Sequence, residues 1–318
     1  MSKSLRIFLS TDLPAAIEAR LAELYTLVKD DWAHAKGCAV IIPTLGDRID
    51  ATRIAALAPE LKLIANFGAG VDHIDVAFAK QQKIYVSNTP SVLTEDTADV
   101  TLALLLAASR RLSEAVSDLR AGAWQGWHPL YMLGHRVHGK TLGIVGMGRI
   151  GQAVAKRARG FGLRVLYTQR TQLHASVEAE LAATYVPSLE SLLPQVDFLS
   201  LHCPHTPQTH HHLNAQRLAL LKPSACIVNT ARGALIEETA LVAALANGKL
   251  AGAGLDVYAH APHVPEALKA LKNVTLLPHI SSATIESREE MGQRVLLNIQ
   301  SFADGHPPPD RVLLAEVG

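Results

Sequence analysis

One stretch constrains this chain more than any other: Thr141-Leu142-Gly143-Ile144-Val145-Gly146-Met147-Gly148-Arg149-Ile150-Gly151. A short apolar run with β-strand character meets a Gly-x-Gly-x-x-Gly spacing, and a helical pattern opens within it. A strand that turns at once into a helix needs a residue free to leave the usual backbone regions, and Gly146 has no Cβ to forbid it. Gly148 leaves the backbone bare where an anion can come close, and Gly151 lets helix and strand pack. The helix start, with Arg149 and Ile150 in its first turn, presents N–H groups and the positive end of its dipole. Three glycines alone are weak evidence. In strand–turn–helix context they point to a phosphate-gripping βαβ unit that binds a dinucleotide.

A second strand, Arg164–Tyr167, runs into Thr168-Gln169-Arg170-Thr171, with Arg170 19 positions past Gly151. An acid at this strand end would bond the adenosine ribose hydroxyls and repel a 2′-phosphate. Gln169 removes that repulsion, and the planar fork of Arg170 suits a phosphate. The stretch points to NADP(H) as the preferred cofactor, with NAD(H) still admissible. The plain alternative is a solvated arginine after a strand.

Apolar β runs alternating with amphipathic helices extend over the whole chain, which implies parallel sheets covered on both faces. In the first half the strands are 5–10, 39–43, 63–67 and 84–87, with helices near 15–25 and 49–57. A helical signal then runs from Thr94 to about Leu119 and carries the apolar block Leu102–Ala108, which predicts a buried helix, in a core, between domains or at a subunit contact. A Trp- and Gly-rich linker, 121–139, follows, and its Trp124 and Trp127 read as packing residues. Strands at 141–145, 164–167, 198–202, 225–229, 252–257 and 274–277 fill the second half, before a helix over 284–303.

With 318 residues the chain holds two ordinary domains. A net charge of +1 supplies no basic field, so nucleic acid is not an expected partner. Cys38, Cys203 and Cys226 are scattered and form no metal or disulfide pattern. No apolar run has the length of a membrane span, and the cytoplasm is the expected location. His210-His211-His212 read as loop residues, since three in a row cannot all face one metal from a regular element.

In parallel sheets, ligands bind beyond the carboxyl ends of the strands. The residues there are Gly68-Ala69-Gly70, Thr230-Ala231-Arg232, Asp256 and His279. Arg232 can grip a carboxylate and polarise a carbonyl. The N–H groups of Ala69 and Gly70 can form an anion nest. His279 can give a proton to oxygen as hydride arrives. Each has a bland reading, Arg232 as a capping or ion-pair cation and His279 as a satisfied core histidine. Their common placement favours reduction of a 2-oxoacid.

The blocks NFGAGVDHID (66–75), NTPSVLTEDTADVTLALLLAASR (88–110), GKTLGIVGMGRIGQAVAKRARGFGLRVLY (139–167), NTARGALIEETAL (229–241), GLDVY (254–258) and LPHISSAT (277–284) stand in one order. Together they resemble the D-2-hydroxyacid dehydrogenases over essentially the whole chain, in the branch of glyoxylate, hydroxypyruvate and 2-ketogluconate reductases. The resemblance implies an α/β fold of two doubly wound parallel-sheet domains. A flavodoxin-like substrate domain would span 1–97 with 287–318, and a Rossmann cofactor domain 98–286, with the site in the cleft between them. It implies a homodimer joined near 100–135, with Trp127 approaching the partner's site. Arg232 takes the substrate-binding position and His279 the acid/base position. Asp256 takes the place that contacts the nicotinamide amide. Leu45, Gly68, Ala69 and Gly70 fall on substrate positions. Thr97, Cys203, Pro204, Thr230, Ala231 and Ser281 fall with the glycine loop and Gln169–Thr171 on cofactor positions. A rival class is a dinucleotide-sensing interaction protein, akin to the corepressors that share this fold.

One departure stands out. The family carries a Glu five residues after the Asp, before a Pro, paired with the catalytic His. Here that position is Ala261, with Pro262 anchoring the register. A carboxylate beside an imidazole favours its protonated form and fixes its orientation. Its absence leaves less proton donor near neutral pH. Three accounts stay open: a slow reductase, a site altered by substitution, or a member recruited for binding. Ala261→Glu is expected to raise reductase activity near pH 7; unchanged rates across a pH series would count against the pairing argument.

Overall fold

The computed structural model of the protein describes residues 5–29 and 31–313. Two compact units emerge, one built from residues 1–93 and 283–318, the other from 94–282. Both boundaries lie slightly before the expected 97 and 286. The first falls where the helix Thr94–Ser109 begins, so that helix stays whole.

The first unit holds β1 (Arg6–Leu9), β2 (Thr26–Val28), β3 (Val40–Ile42), β4 (Leu63–Ala65) and β5 (Tyr85–Ser87). All pairings are parallel, in the order β2-β1-β3-β4-β5. This is the flavodoxin-like order, which reverses between β1 and β3. The helices Ala15–Leu24 and Ile285–Ala303 cover one face with Ile17, Leu21, Val295 and Ile299. Gly292 permits their contact, since a Cβ there would lie 2.4 Å from Ile17. The second face is sealed by Ile54, Ile74 and Ala79.

The second unit holds β6 (Thr141–Val145), β7 (Arg164–Thr168), β8 (Ala183–Tyr185), β9 (Phe198–Leu201), β10 (Cys226–Asn229), β11 (Gly252–Leu255) and β12 (Val274–Leu276). They form a seven-stranded sheet ordered β12-β11-β10-β9-β6-β7-β8, parallel throughout. Six of these strands are the expected ones, and β8 is a short edge strand outside them, as β2 is in the first unit. Both proposed doubly wound sheets are therefore present. The topological switch lies between β6 and β9, where the chain leaves β6 for one face and β9 for the other.

The long helix expected over 94–119 is two helices, Thr94–Ser109 and Leu112–Arg120. Arg111 breaks it by entering the left-handed region, φ 54°. The carbonyl of Ser109 takes the His135 N–H at 2.7 Å, and Gly134 packs so close that a Cβ would sit 2.5 Å from that carbonyl. The linker thus crosses the helix end and occupies the acceptor there. The first of the two helices is buried, as expected, and it is a core helix of this unit: Leu104 lies against Gly254 of β11, with 2.8 Å to a Cβ placed there. The second has no buried residue. The linker tryptophans do not pack within the unit, Trp124 being 51% and Trp127 84% exposed. No helix among the described residues is long and apolar enough to cross a membrane.

Candidate active site

Because the seven-stranded sheet is parallel, the carboxyl ends of its strands share one edge, and nearly every proposed residue of this unit lies on it. Gly146 follows β6 with φ 93°, and a Cβ there would meet Cys203 N at 2.7 Å and His202 C at 2.8 Å. The strands on either side of the switch therefore approach within glycine-only distance. A Cβ on Gly151 would sit 2.2 Å from the Gly146 carbonyl, whereas one on Gly148 would meet nothing within 4 Å. The helix Arg149–Gly160 has no side chain capping its N-terminus. An open, uncapped helix start beside a bare glycine fits a pyrophosphate.

Gln169, after β7, is partly committed to this loop. Its Oε1 accepts the Met147 N–H at 2.9 Å and its Nε2 donates to the Thr171 carbonyl at 2.6 Å. Arg170 is exposed and has no ion-pair partner among the described residues. Cys203 and Pro204 follow β9. Burial pushes the Cys203 thiol up to about 11, so it stays protonated and is no nucleophile.

After β10 the polar groups interlock. Thr230 Oγ1 pairs with Thr101 Oγ1 at 2.9 Å, and Thr101 donates to the carbonyl of buried Thr97 at 2.7 Å. Asn229, buried, accepts from Ala231 N–H and donates to the Arg232 carbonyl. It fixes the turn that displays Arg232, whose Nη1 donates to the Ala231 carbonyl at 2.8 Å. A Cβ on Gly233 would sit 1.9 Å from the Tyr258 carbonyl carbon, so this turn is pressed onto the segment after β11.

Asp256 is fully buried, and its two oxygens accept the N–H groups of Ile280 and Ser281, each at 2.8 Å. The residue before them, His279, is exposed and left-handed, φ 56°. Non-glycine residues adopt this region only where the surroundings hold them there. The buried carboxylate supplies that hold. Tyr258 adds a tie, its hydroxyl donating to the Leu277 carbonyl at 2.9 Å.

Ala261 is exposed in a turn closed by the His263 N–H on the His260 carbonyl, 2.9 Å. Glu266, further along, ion-pairs with Lys269 within the helix Glu266–Lys269. Glu238 does reach this segment, accepting the Ala259 N–H at 3.4 Å. Sequence reasoning passed over it, and its place at a helix start after the Arg232 turn is the available signal.

His202 was also missed. Part of the residue is open to solvent, yet its imidazole is enclosed, with Nε2 2.8 Å from Ser200 Oγ. Burial pushes its pKa down to about 3. A neutral imidazole thus lies under the switch point. His210 and His211 are exposed and stacked, and His205 Nε2 lies 3.1 Å from His210 Nδ1.

In the first unit, Leu45 and Gly68–Gly70 follow β3 and β4 on the carboxyl edge of the five-stranded sheet. A Cβ on Gly68 would meet Leu45 at 3.4 Å, so Leu45 walls this loop.

Comparison with known proteins places the chain in a family. Residues 102–281 match the family described as "D-isomer specific 2-hydroxyacid dehydrogenase, NAD binding domain". The chain is 44% identical to a glyoxylate reductase of Thermococcus litoralis over 96% of each protein. It is 49% identical to one from Thermococcus kodakarensis, over 86% of this chain and 82% of that one. Among solved structures it superposes at TM-score 0.88 on an NADPH-dependent glyoxylate/hydroxypyruvate reductase of Sinorhizobium meliloti, in complex with NADP and malonate. That protein is 36% identical over 97% of this chain and 96% of the other.

His202 generates a prediction. Its folded pKa lies below the unfolded value of 6.5, so the unfolded chain binds the extra proton. Its contribution to stability is whole above 6.5 and is lost as pH falls toward about 3. The loss has a limiting slope of about 1.4 kcal/mol per pH unit. Denaturant melts of His202→Gln between pH 6.5 and 4 should show a shallower acid loss than the parent; parallel curves would disprove the buried neutral state.

Proposed function

This chain belongs to the D-isomer specific 2-hydroxyacid dehydrogenase family, and we propose that it is an NADPH-preferring reductase of small 2-oxoacids. Glyoxylate is the first candidate substrate, followed by hydroxypyruvate and 2-ketogluconate, with D-2-hydroxyacids as products. The observation that carries the reading is the common edge of the seven-stranded sheet: an uncapped glycine-loop helix, the Arg232 turn, and a left-handed His279 held by buried Asp256.

The bound nicotinamide would supply the hydride. Gly146, Gly148 and the first turn from Arg149 to Gly151 would hold the pyrophosphate, with Thr97, Cys203, Pro204, Thr230, Ala231 and Ser281 as further cofactor contacts. Arg232 would pair with the substrate carboxylate and polarise the carbonyl, assisted by the N–H groups of Ala69 and Gly70. His279 would deliver the proton to the carbonyl oxygen. Asp256 positions the His279 loop, and its remaining lone pairs leave it able to accept from the nicotinamide amide. Leu45 would limit the substrate's side chain.

Preference for NADPH is supported by Arg170, which is exposed and has no ion-pair partner among the described residues, while Gln169 faces the glycine loop. NADPH oxidation with glyoxylate should exceed NADH oxidation in kcat/KM. Arg170→Ala should lower the NADPH value about ten-fold or more and leave NADH nearly unchanged, in line with the loss of a charged hydrogen bond. Equal losses with both cofactors would remove Arg170 from the 2′-phosphate. Tight cofactor binding with no turnover of any 2-oxoacid would instead favour a sensing role.

We assign the apolar arm of this unit to a second copy of the chain. Leu112, Val116, Leu119, Trp127, Leu130 and Leu133 are all exposed over one short stretch, more apolar surface than a monomer ordinarily leaves to water. Sedimentation at micromolar concentration should give twice the 34.1 kDa chain mass. A monomer there would refute the assignment.

A further inference from the structure

The loop Gly68–Gly70 is held by a buried amide to which no residue role is assigned above. Asn66 follows β4 and is fully buried. Its Nδ2 donates to the carbonyls of Gly68 and of Gly70, each at 2.9 Å. Its Oδ1 lies 3.0 Å from His73 Nε2. The amide has only one workable orientation, because two carbonyls can accept but never donate. His73 Nε2 must therefore carry the hydrogen it gives to Oδ1. The carbonyl between them, of Ala69, accepts from Asn88 Nδ2 at 2.8 Å, and Gly68 O also accepts the Thr89 N–H at 3.0 Å.

Two carbonyls of the loop, of Gly68 and Gly70, are thus drawn to the one amide. In a trans peptide the N–H of the next residue points opposite to the carbonyl. Drawing in the carbonyls of Gly68 and Gly70 turns the N–H groups of Ala69 and Val71 away from Asn66. Loop N–H groups that share a heading can receive an anion. Gly68 is part of the device: a Cβ there would approach Asn66 Nδ2 to 3.2 Å.

We propose that Asn66 is the positioning residue of the substrate-carboxylate nest: its two N–H bonds to Gly68 and Gly70 aim the loop's amides at the anion. This rests on the 2-oxoacid reading above. Asn66 touches no reacting atom and acts through the backbone. Its loss should weaken the grip on a carboxylate while leaving the cofactor and the carbonyl chemistry in place.

Two variants test this. Asn66→Ala removes the clamp. Asn66→Asp keeps the side chain's shape but cannot donate as a carboxylate. Both should raise KM for glyoxylate about ten-fold or more with a smaller change in kcat. Reduction of methylglyoxal, a small carbonyl compound with no carboxylate, should stay within about two-fold, and NADPH affinity by fluorescence should not move. Equal losses with glyoxylate and methylglyoxal, or no loss with either, would overturn the proposal. Titration of oxalate into the NADPH-loaded protein separates the two readings. Weaker oxalate binding by the variants supports the clamp even if the parent turns over no 2-oxoacid, which would sink the reductase reading alone. Equal oxalate affinity in parent and variants sinks the clamp alone, and oxalate that binds none of the proteins sinks both.

Discussion

The second unit depends on one close approach, between Gly146 and the backbone of His202–Cys203. Strands β6 and β9 are neighbours whose chains depart to opposite faces, so their ends open a crevice without any side chain being carved away. The crevice is usable only because β6 turns tightly enough for the following helix to start within it. Gly146 supplies that turn, and Gly151 brings the helix down onto the Gly146 carbonyl. Any Cβ at either position would force strand and helix apart, and the helix N-terminus would no longer face the crevice. The crevice and the helix start that faces it are thus properties of backbone geometry, with the side chain of Gln169 bonding the loop from outside.

The chemical loops are held differently. The carboxyl-edge loops lie beyond the last ladder hydrogen bonds, so buried polar side chains hold their backbones instead. Asp256 binds two successive N–H groups beside His279, Asn229 clamps the Arg232 turn, and Asn66 gathers the carbonyls of Gly68 and Gly70. Each is almost completely buried, where an unmade hydrogen bond costs most. Such groups define one loop conformation sharply, because every alternative leaves a buried charge or amide unpaired. Pre-organisation of this kind matters to catalysis, since donors fixed before the reaction need no rearrangement during it.

Much of this was legible in the chain. The inner strands announce themselves as apolar runs because both their faces are covered, and the glycine spacing located the crevice. The edge strands β2 and β8 did not, since Thr26 and Thr184 stand exposed and the runs are three residues long. The break at Arg111 was invisible for another reason. Helix propensity and periodicity run straight through Arg110–Leu112, and the break comes from a distant segment, Gly134–His135, taking over the helix end. The tryptophans misled because aromatic residues ordinarily signal burial, while here they lie on an arm that the unit itself does not cover. Asn66, Asn229 and Glu238 carry no periodic signal at all. Their importance lies in which carbonyl or N–H they meet, and only the folded loop reveals that.

Ala261 stands apart from the restraints that hold these loops. The turn around Ala261 closes on its own backbone, through the His263 N–H and the His260 carbonyl, and the side chain at 261 faces solvent. The position of His279 is set from the other side, by Asp256 beneath the next two residues. Arg232 is set by Asn229 and by the contact of Gly233 with Tyr258. None of these restraints passes through residue 261. These restraints on the two turns are therefore independent of the side chain at 261. A carboxylate would favour the imidazolium. A carboxylate placed at 261 would therefore add charge without rebuilding the turns that carry Arg232 and His279.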